Sequence, residues 1–250
     1  MKSRSLLVYI YCATACLFVG SSAMGQMEPQ FTKAGQEYAA GHFKEAIDGY
    51  EALARKGAWS ANLFYDLGNS YFHTSDFGRA ILNYERALAL DRHHPEAQAN
   101  LRIVRDEARA LEITPTGGER FVQFAGTNQY AVAAAITFWL GLFSIIWWIF
   151  SQRRSGVAIA LSLLCLSISA FAVLSIFWTE TGNKGKSLAI VTENDVEARL
   201  ATADNARSVL ALPAGSEINI LSKRGDWIYA ALPNDLRGWI PARSAENVRL

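Results

Sequence analysis

Two sets of side chains could do chemistry, and in both the chemistry is recognition. The first is Asn62, Tyr65, Asn69 and Phe72, spaced three or four apart so that one helix face carries them, with Asn100 a little further along. Amide side chains interleaved with aromatics can hydrogen-bond an extended peptide backbone and cover its side chains. The alternative is that these residues satisfy neighbouring helix ends and packing. The second set is Trp227, Tyr229 and Trp239 in a strand-rich stretch, where period-two spacing puts Trp227 and Tyr229 on one face. Such a face can serve as an aromatic shelf for a wall peptide or a partner segment, or its tryptophans can simply anchor a core. Neither set holds a nucleophile with its base.

Nothing else competes as a catalytic constellation. There is no Gly-rich phosphate loop and no G-x-S-x-G elbow. Asp106 and Glu107 are helix neighbours that point different ways, and His93 and His94 precede Pro95 without partners at metal-ligand spacing, which predicts an exposed loop. The cysteines Cys12, Cys16 and Cys165 all fall in apolar blocks, so the water-soluble parts have neither a pair to bridge nor a zinc site. The expectation is a protein that is no enzyme and needs no cofactor. The 24 Lys and Arg against 23 Asp and Glu give a net charge of +1, too little basic excess for a nucleic-acid partner.

The elements that must position these residues follow from three apolar blocks. Lys2 and Arg4 precede the run Leu6 to Gly20, and small or polar residues follow to Gln26; this is the order of a secretory signal, cleaved after Gly25 or Ala23. An uncleaved anchor and a lipoprotein site at Cys16 are the alternatives. Tyr130 to Phe150 carries no charge in 21 residues and would rise about 31 Å as a helix, enough to cross a hydrocarbon core of about 30 Å. Ser155 to Trp178 is likewise uncharged and long enough. The two spans, 130–150 and 155–178, make a hairpin through Ser151 to Arg154, with Arg153 and Arg154 in the turn and Tyr130, Trp147, Trp148 and Trp178 at belt positions. An exported N-terminus places both soluble segments on the non-cytoplasmic side and the turn in the cytoplasm. The lipid bilayer is therefore an expected partner. Ser162, Cys165, Ser167 and Ser169 read as helix-packing positions.

The segment 27–113 repeats with a period of 34. Phe31 aligns with Tyr65, Ala34 with Gly68, Gly41 with Ser75, Phe43 with Phe77, Ala46 with Ala80, Ile47 with Ile81 and Tyr50 with Tyr84. In the second copy Phe64, Leu67, Gly68 and Tyr71 mark a first helix, Ala80, Tyr84 and Ala87 a second, and Asp76 the turn. A following helix from Pro95 to about Leu111 places Ala97, Leu101, Val104, Ala108 and Leu111 on one stripe and leaves Arg102, Arg105, Asp106 and Arg109 in solvent. This is the tetratricopeptide signature, predicting two repeats plus a capping helix with a concave groove lined by first helices. With 10 basic and 13 acidic residues the segment is only mildly acidic. The stretch 114–129, with Pro115, Gly117 and Gly118, reads as a short flexible tether.

Residues 187–250 change pattern to short strands: Leu188 to Thr192, Val196 to Leu200, Ser208 to Leu212, Glu217 to Ser222, Trp227 to Ala231 and Arg237 to Pro241. The breaks are Pro213-Ala214-Gly215, Lys223 to Asp226 and Pro233-Asn234-Asp235. Spacing of this kind predicts a small β-barrel. The succession Leu212-Pro213-Ala214-Gly215, Ile218 to Leu221, Gly225-Asp226-Trp227 and Gly238-Trp239-Ile240 resembles bacterial SH3-like domains. The expected architecture is thus multi-domain: an all-α tetratricopeptide solenoid, a two-helix transmembrane hairpin and a C-terminal all-β SH3-like barrel.

The order of parts resembles the tetratricopeptide and SH3 proteins of the Bacteroides-aerotolerance (Bat) operon, the BatE type. The departures are Glu37 where an aromatic is usual and Arg92 where the second repeat would end in proline. The resemblance implies an inner-membrane scaffold with both soluble domains periplasmic. It further implies partners among von Willebrand A domain membrane proteins and a MoxR-type ATPase of the same operon, and a link to oxidative-stress tolerance. A peptidoglycan partner for the last domain is the other reading.

Overall fold

A computed structural model describes residues 21–122, 125–150 and 156–250. The signal run Leu6 to Gly20 and the turn Ser151 to Arg154 lie outside the described residues. The chain divides into two compact units, residues 1–107 and 108–250.

Among the described residues, five helices build the first unit: α1 (Ser21–Ala39), α2 (Phe43–Arg55), α3 (Ala61–His73), α4 (Phe77–Leu90) and α5 (Pro95–Ala108). The starts of α2 and α4 are 34 residues apart, as are those of α3 and α5, so the sequence period is carried by the helices themselves. Caps fix where they begin. Ser60 accepts the Leu63 N–H at α3, and Asp76 accepts the Arg79 N–H at α4. Consecutive helices α1 to α4 pack on one another through the small and aromatic positions of the repeat. Ala34, Ala46, Tyr50, Phe64, Leu67, Gly68, Ala80, Ile81, Tyr84 and Ala87 are buried. Gly68 is there for a close approach, since a Cβ at that position would stand 2.8 Å from the Tyr84 ring. Helix α5 adds Ala97, Leu101 and Val104 to the core. Arg105 departs from the solvated face expected of it: its guanidinium meets Glu85 of α4 at 2.5 Å, and only 12% of the side chain is exposed.

In the second unit α7 (Thr127–Phe150) and α8 (Gly156–Thr181) are long and apolar enough to cross a membrane, about 36 and 39 Å as helices. They pack side by side. Ser169 donates to the Ala134 carbonyl at 3.1 Å and Ser144 to that of Ala158 at 3.3 Å, while Ser162, Ser175 and Thr179 return their hydroxyls to their own helix.

Beyond α8 follow β1 (Leu188–Val191), β2 (Val196–Arg199), β3 (Ser208–Leu212), β4 (Glu217–Arg224), β5 (Trp227–Ala231), β6 (Arg237–Pro241) and β7 (Ala245–Asn247). Six match the strand readings; β7 is additional. They form one antiparallel sheet in the order β3-β2-β6-β5-β4-β1-β7 around a core of Val191, Val196, Leu212, Ile218, Ile228 and Ile240. The sheet is open, which corrects the barrel expectation. Closure requires the two edge strands to pair along a useful length. Here β7 offers three residues and pairs only with β1, while the β3 ladder is taken up by β2.

The stretch read as a tether is structured. Leu111 exchanges backbone and side-chain bonds with Glu217 and Ser216, and the Ile113 N–H donates to the Glu217 carboxylate at 2.9 Å. A short helix α6 (Gly117–Phe121) opens with a capping box in which Thr116 and Glu119 satisfy each other's backbone N–H. Buried Glu119 also accepts the Lys184 N–H at 2.6 Å. Lys184 Nζ pairs with the fully buried Glu217, and Glu180 with Arg249 and Lys186. Gly182 permits this convergence: a Cβ there would overlap the Glu119 carboxyl at 2.2 Å. The chain segments flanking the two long helices are thereby bonded to strand β4 and to the C-terminal residues.

Candidate functional site

A cleft of roughly 200 Å³ opens in the helical unit where α1, α3, α4 and α5 meet. Four of the residues expected to form a groove line it: Tyr65, Asn69 and Phe72 from α3, and Asn100 from α5. Asn62 does not. It is exposed on the first turn of α3 and lies outside the lining. Tyr38, His73, Tyr84, Ile103 and Val104 complete the lining. The sequence held a signal for two of these, since Tyr38 precedes Phe72 by one 34-residue period and Ile103 follows Asn69 by another.

The floor is a hydrogen-bonded trio. Asn69 Oδ1 accepts from the Tyr84 hydroxyl at 2.7 Å and from Asn100 Nδ2 at 2.9 Å. These bonds engage the oxygen of Asn69 and the nitrogen of Asn100. The complementary atoms, Asn69 Nδ2 and Asn100 Oδ1, are the donor and acceptor that a peptide group requires. Aromatic walls surround the trio. The Tyr65 ring lies 6.1 Å from that of Tyr84 and 4.9 Å from that of His94, and His73 stacks on Phe43 at 4.3 Å while meeting Tyr38 edge-on at 5.7 Å. His94 departs from the exposed loop expected for it. Its side chain is 10% exposed because the loop before Pro95 folds it against Tyr65, where Nδ1 also accepts the Ala97 N–H at 3.2 Å.

Burial sets the charge state of the cleft's surroundings. The hydroxyls of Tyr38 and Tyr84 titrate above the usual phenol range because desolvation opposes the phenolate. Both are neutral donors at neutral pH. Asp66, on the same helix as Tyr65 and Asn69, is pushed up to about 6 by desolvation, which the nearby His94 only partly offsets. Because the folded state holds this proton more tightly than the unfolded chain, its contribution to stability is full below about pH 4 and is lost as pH rises towards 6. Asp66→Asn is therefore expected to raise the thermal midpoint of the helical unit at pH 7.5 and to flatten its fall between pH 4 and 6. Circular dichroism melts of wild type and variant across that window check this; a steeper fall in the variant contradicts the assignment.

The aromatic trio of the sheet comes together as the strand register requires. Tyr229 pairs with Trp239, with ring centroids 5.0 Å apart, and Trp227 pairs with Pro241 on the same face. Their neighbours Ile228, Ala230 and Ile240 point into the core. All three aromatics are half-buried on one face of the sheet.

The sequence matches no protein-family model, and no curated protein resembles it at a significant level.

Proposed function

We propose that this chain is a non-enzymatic scaffold of the bacterial envelope, a tetratricopeptide and SH3-like protein of the BatE type. Its helical unit captures an extended segment of a partner protein, and its apolar hairpin anchors it in the inner membrane with both soluble parts in the periplasm. Von Willebrand A domain membrane proteins of the same operon are the proposed partners. The observation that carries the reading is the cleft floor: Asn69 and Asn100 hold each other so that one donor and one acceptor remain for a peptide group, between aromatic walls that can take its side chains.

Capture of partners from solubilised membranes by the tagged full chain tests it. Tyr65→Ala combined with Asn69→Ala should lose the proteins that wild type retains. Ile103→Asp, which puts a charge at a lining position that is already 58% exposed, should lose the same proteins without disturbing the core. An unchanged set of captured proteins in both variants overturns the proposal.

The half-buried aromatic trio of Trp227, Tyr229 and Trp239 favours a second reading, a peptidoglycan-contacting face on the sheet. Sedimentation of the detergent-solubilised chain with purified sacculi separates the two: pelleting that Trp227→Ala and Trp239→Ala abolish supports wall contact, and a chain that stays in the supernatant removes it.

A further inference from the structure

Helix α6 lies along the outer end of the α7/α8 pair rather than out in water. A Cβ on Gly118 would meet the Trp178 ring at 3.0 Å, while Phe121, three residues on, meets Phe171 edge-on at 6.1 Å. From Trp178 to Phe171 is seven residues of α8, about 10 Å along its axis, and the direction is towards the middle of that helix. Val122 is buried with Tyr130, Ala134 and Ala172, and its carbonyl accepts the Tyr130 hydroxyl at 3.1 Å. Several polar groups of the descending turn are satisfied within it. Thr116 N–H and Oγ1 bond to Glu119, Glu119 N–H bonds back to Thr116 Oγ1, and the Val122 N–H reaches the Gly118 and Glu119 carbonyls. Each such bond lowers the cost of bringing backbone towards hydrocarbon. Yet Phe121 is 66% exposed, and on α8 its ring partner Phe171 and, one turn on from Phe171, Leu174 are exposed as well, so the apolar surface of α8 continues onto it. Arg120, also exposed, sits beside it.

We infer that α6 is a lipid-binding wedge: Phe121 inserts among the acyl chains of the leaflet that surrounds the Thr181 end of α8, and Arg120 snorkels to the phosphates of the same phospholipids. The proposal rests on the reading of α7 and α8 as membrane spans. The occupant follows from continuity, since Phe121 extends the surface that lipid must already cover if α8 crosses the bilayer. An Arg side chain one residue away supplies the cation that an interfacial segment uses to hold phosphate.

Spin labels on single-cysteine full-length chains, the three native cysteines replaced by serine, test the wedge in vesicles of phosphatidylethanolamine and phosphatidylglycerol. Labels are placed at Phe121→Cys, at Arg120→Cys, at Leu164→Cys in the middle of α8 and at the exposed Leu200→Cys just after β2. The oxygen-to-nickel-complex accessibility ratio at 121 should be several-fold above that at 200 and approach that at 164, with 120 in between. A ratio at 121 equal to that at 200, with 164 still lipid-like, overturns the wedge and leaves the spans standing. Water-like ratios at 121 and 164 alike overturn the spans and the wedge together.

Discussion

Replacing Glu217 by alanine is expected to cost about 3 kcal/mol of unfolding free energy, the scale for removing one partner of a buried ion pair. Its carboxylate is fully buried where the segments before α7 and after α8 converge on β4, and it accepts from Lys184 Nζ and from the Ile113 N–H. Without it, a cation on a side chain only 28% exposed and a buried backbone donor both lose their acceptor. Glu217→Gln keeps an acceptor for Ile113 but not the charge, and should cost less. Urea titration of the detergent-solubilised chain, read by near-UV circular dichroism of the sheet's tryptophans, measures both. Equal midpoints for wild type and Glu217→Ala would show that the convergence contributes nothing to holding this unit together.

The second large effect is expected at Gly68. A valine there adds atoms where even a Cβ would stand 2.8 Å from the Tyr84 ring, and Tyr84 is fully buried with its hydroxyl bonded to Asn69. The ring can yield only towards the cleft it lines, so the substitution either shifts α4 off α3 or breaks the trio at the cleft floor. Overpacking of this kind costs about 1–3 kcal/mol, and loss of the Tyr84 to Asn69 bond adds about 1 kcal/mol. The helical unit of Gly68→Val should melt well below wild type and capture no partner. Gly68→Ala places the same Cβ with no further bulk and should fall between them. Thermal melts followed at 222 nm give the order; a Gly68→Val midpoint equal to that of wild type contradicts the packing described.

These two sites also mark how far the sequence could be read. Gly68 sits inside a 34-residue pattern whose partners are neighbours in sequence, so the helix pair, the turn at Asp76 and the buried positions from Phe64 to Ala87 were visible in local spacing, whereas the cap at Ser60 was not read. Strands β1 to β6 were visible for the same reason, through alternation and Pro/Gly breaks. Glu217 was not. Its partners Ile113 and Lys184 stand 104 and 33 residues away, and no local period connects them, so residues 114–129 looked like a tether and the glutamate like one more charge. Strand β7 escaped because three residues, one of them charged, carry no alternation. The open sheet edge escaped because spacing specifies strands but not whether the last one meets the first. At the cleft, Tyr65, Asn69, Phe72 and Asn100 were legible from helical spacing. His94 and Arg105 were misjudged because burial by a neighbouring helix is not written in their own surroundings.

The proposed architecture requires that both water-soluble units lie on one side of the membrane, with the hairpin turn on the other. Alkaline phosphatase, active only after export, can be fused after residue 115, after residue 152 and at the C-terminus. The account predicts activity at the first and last junctions and none at the middle one. An inactive enzyme at residue 115 or at the C-terminus, or an active one at 152, would contradict it.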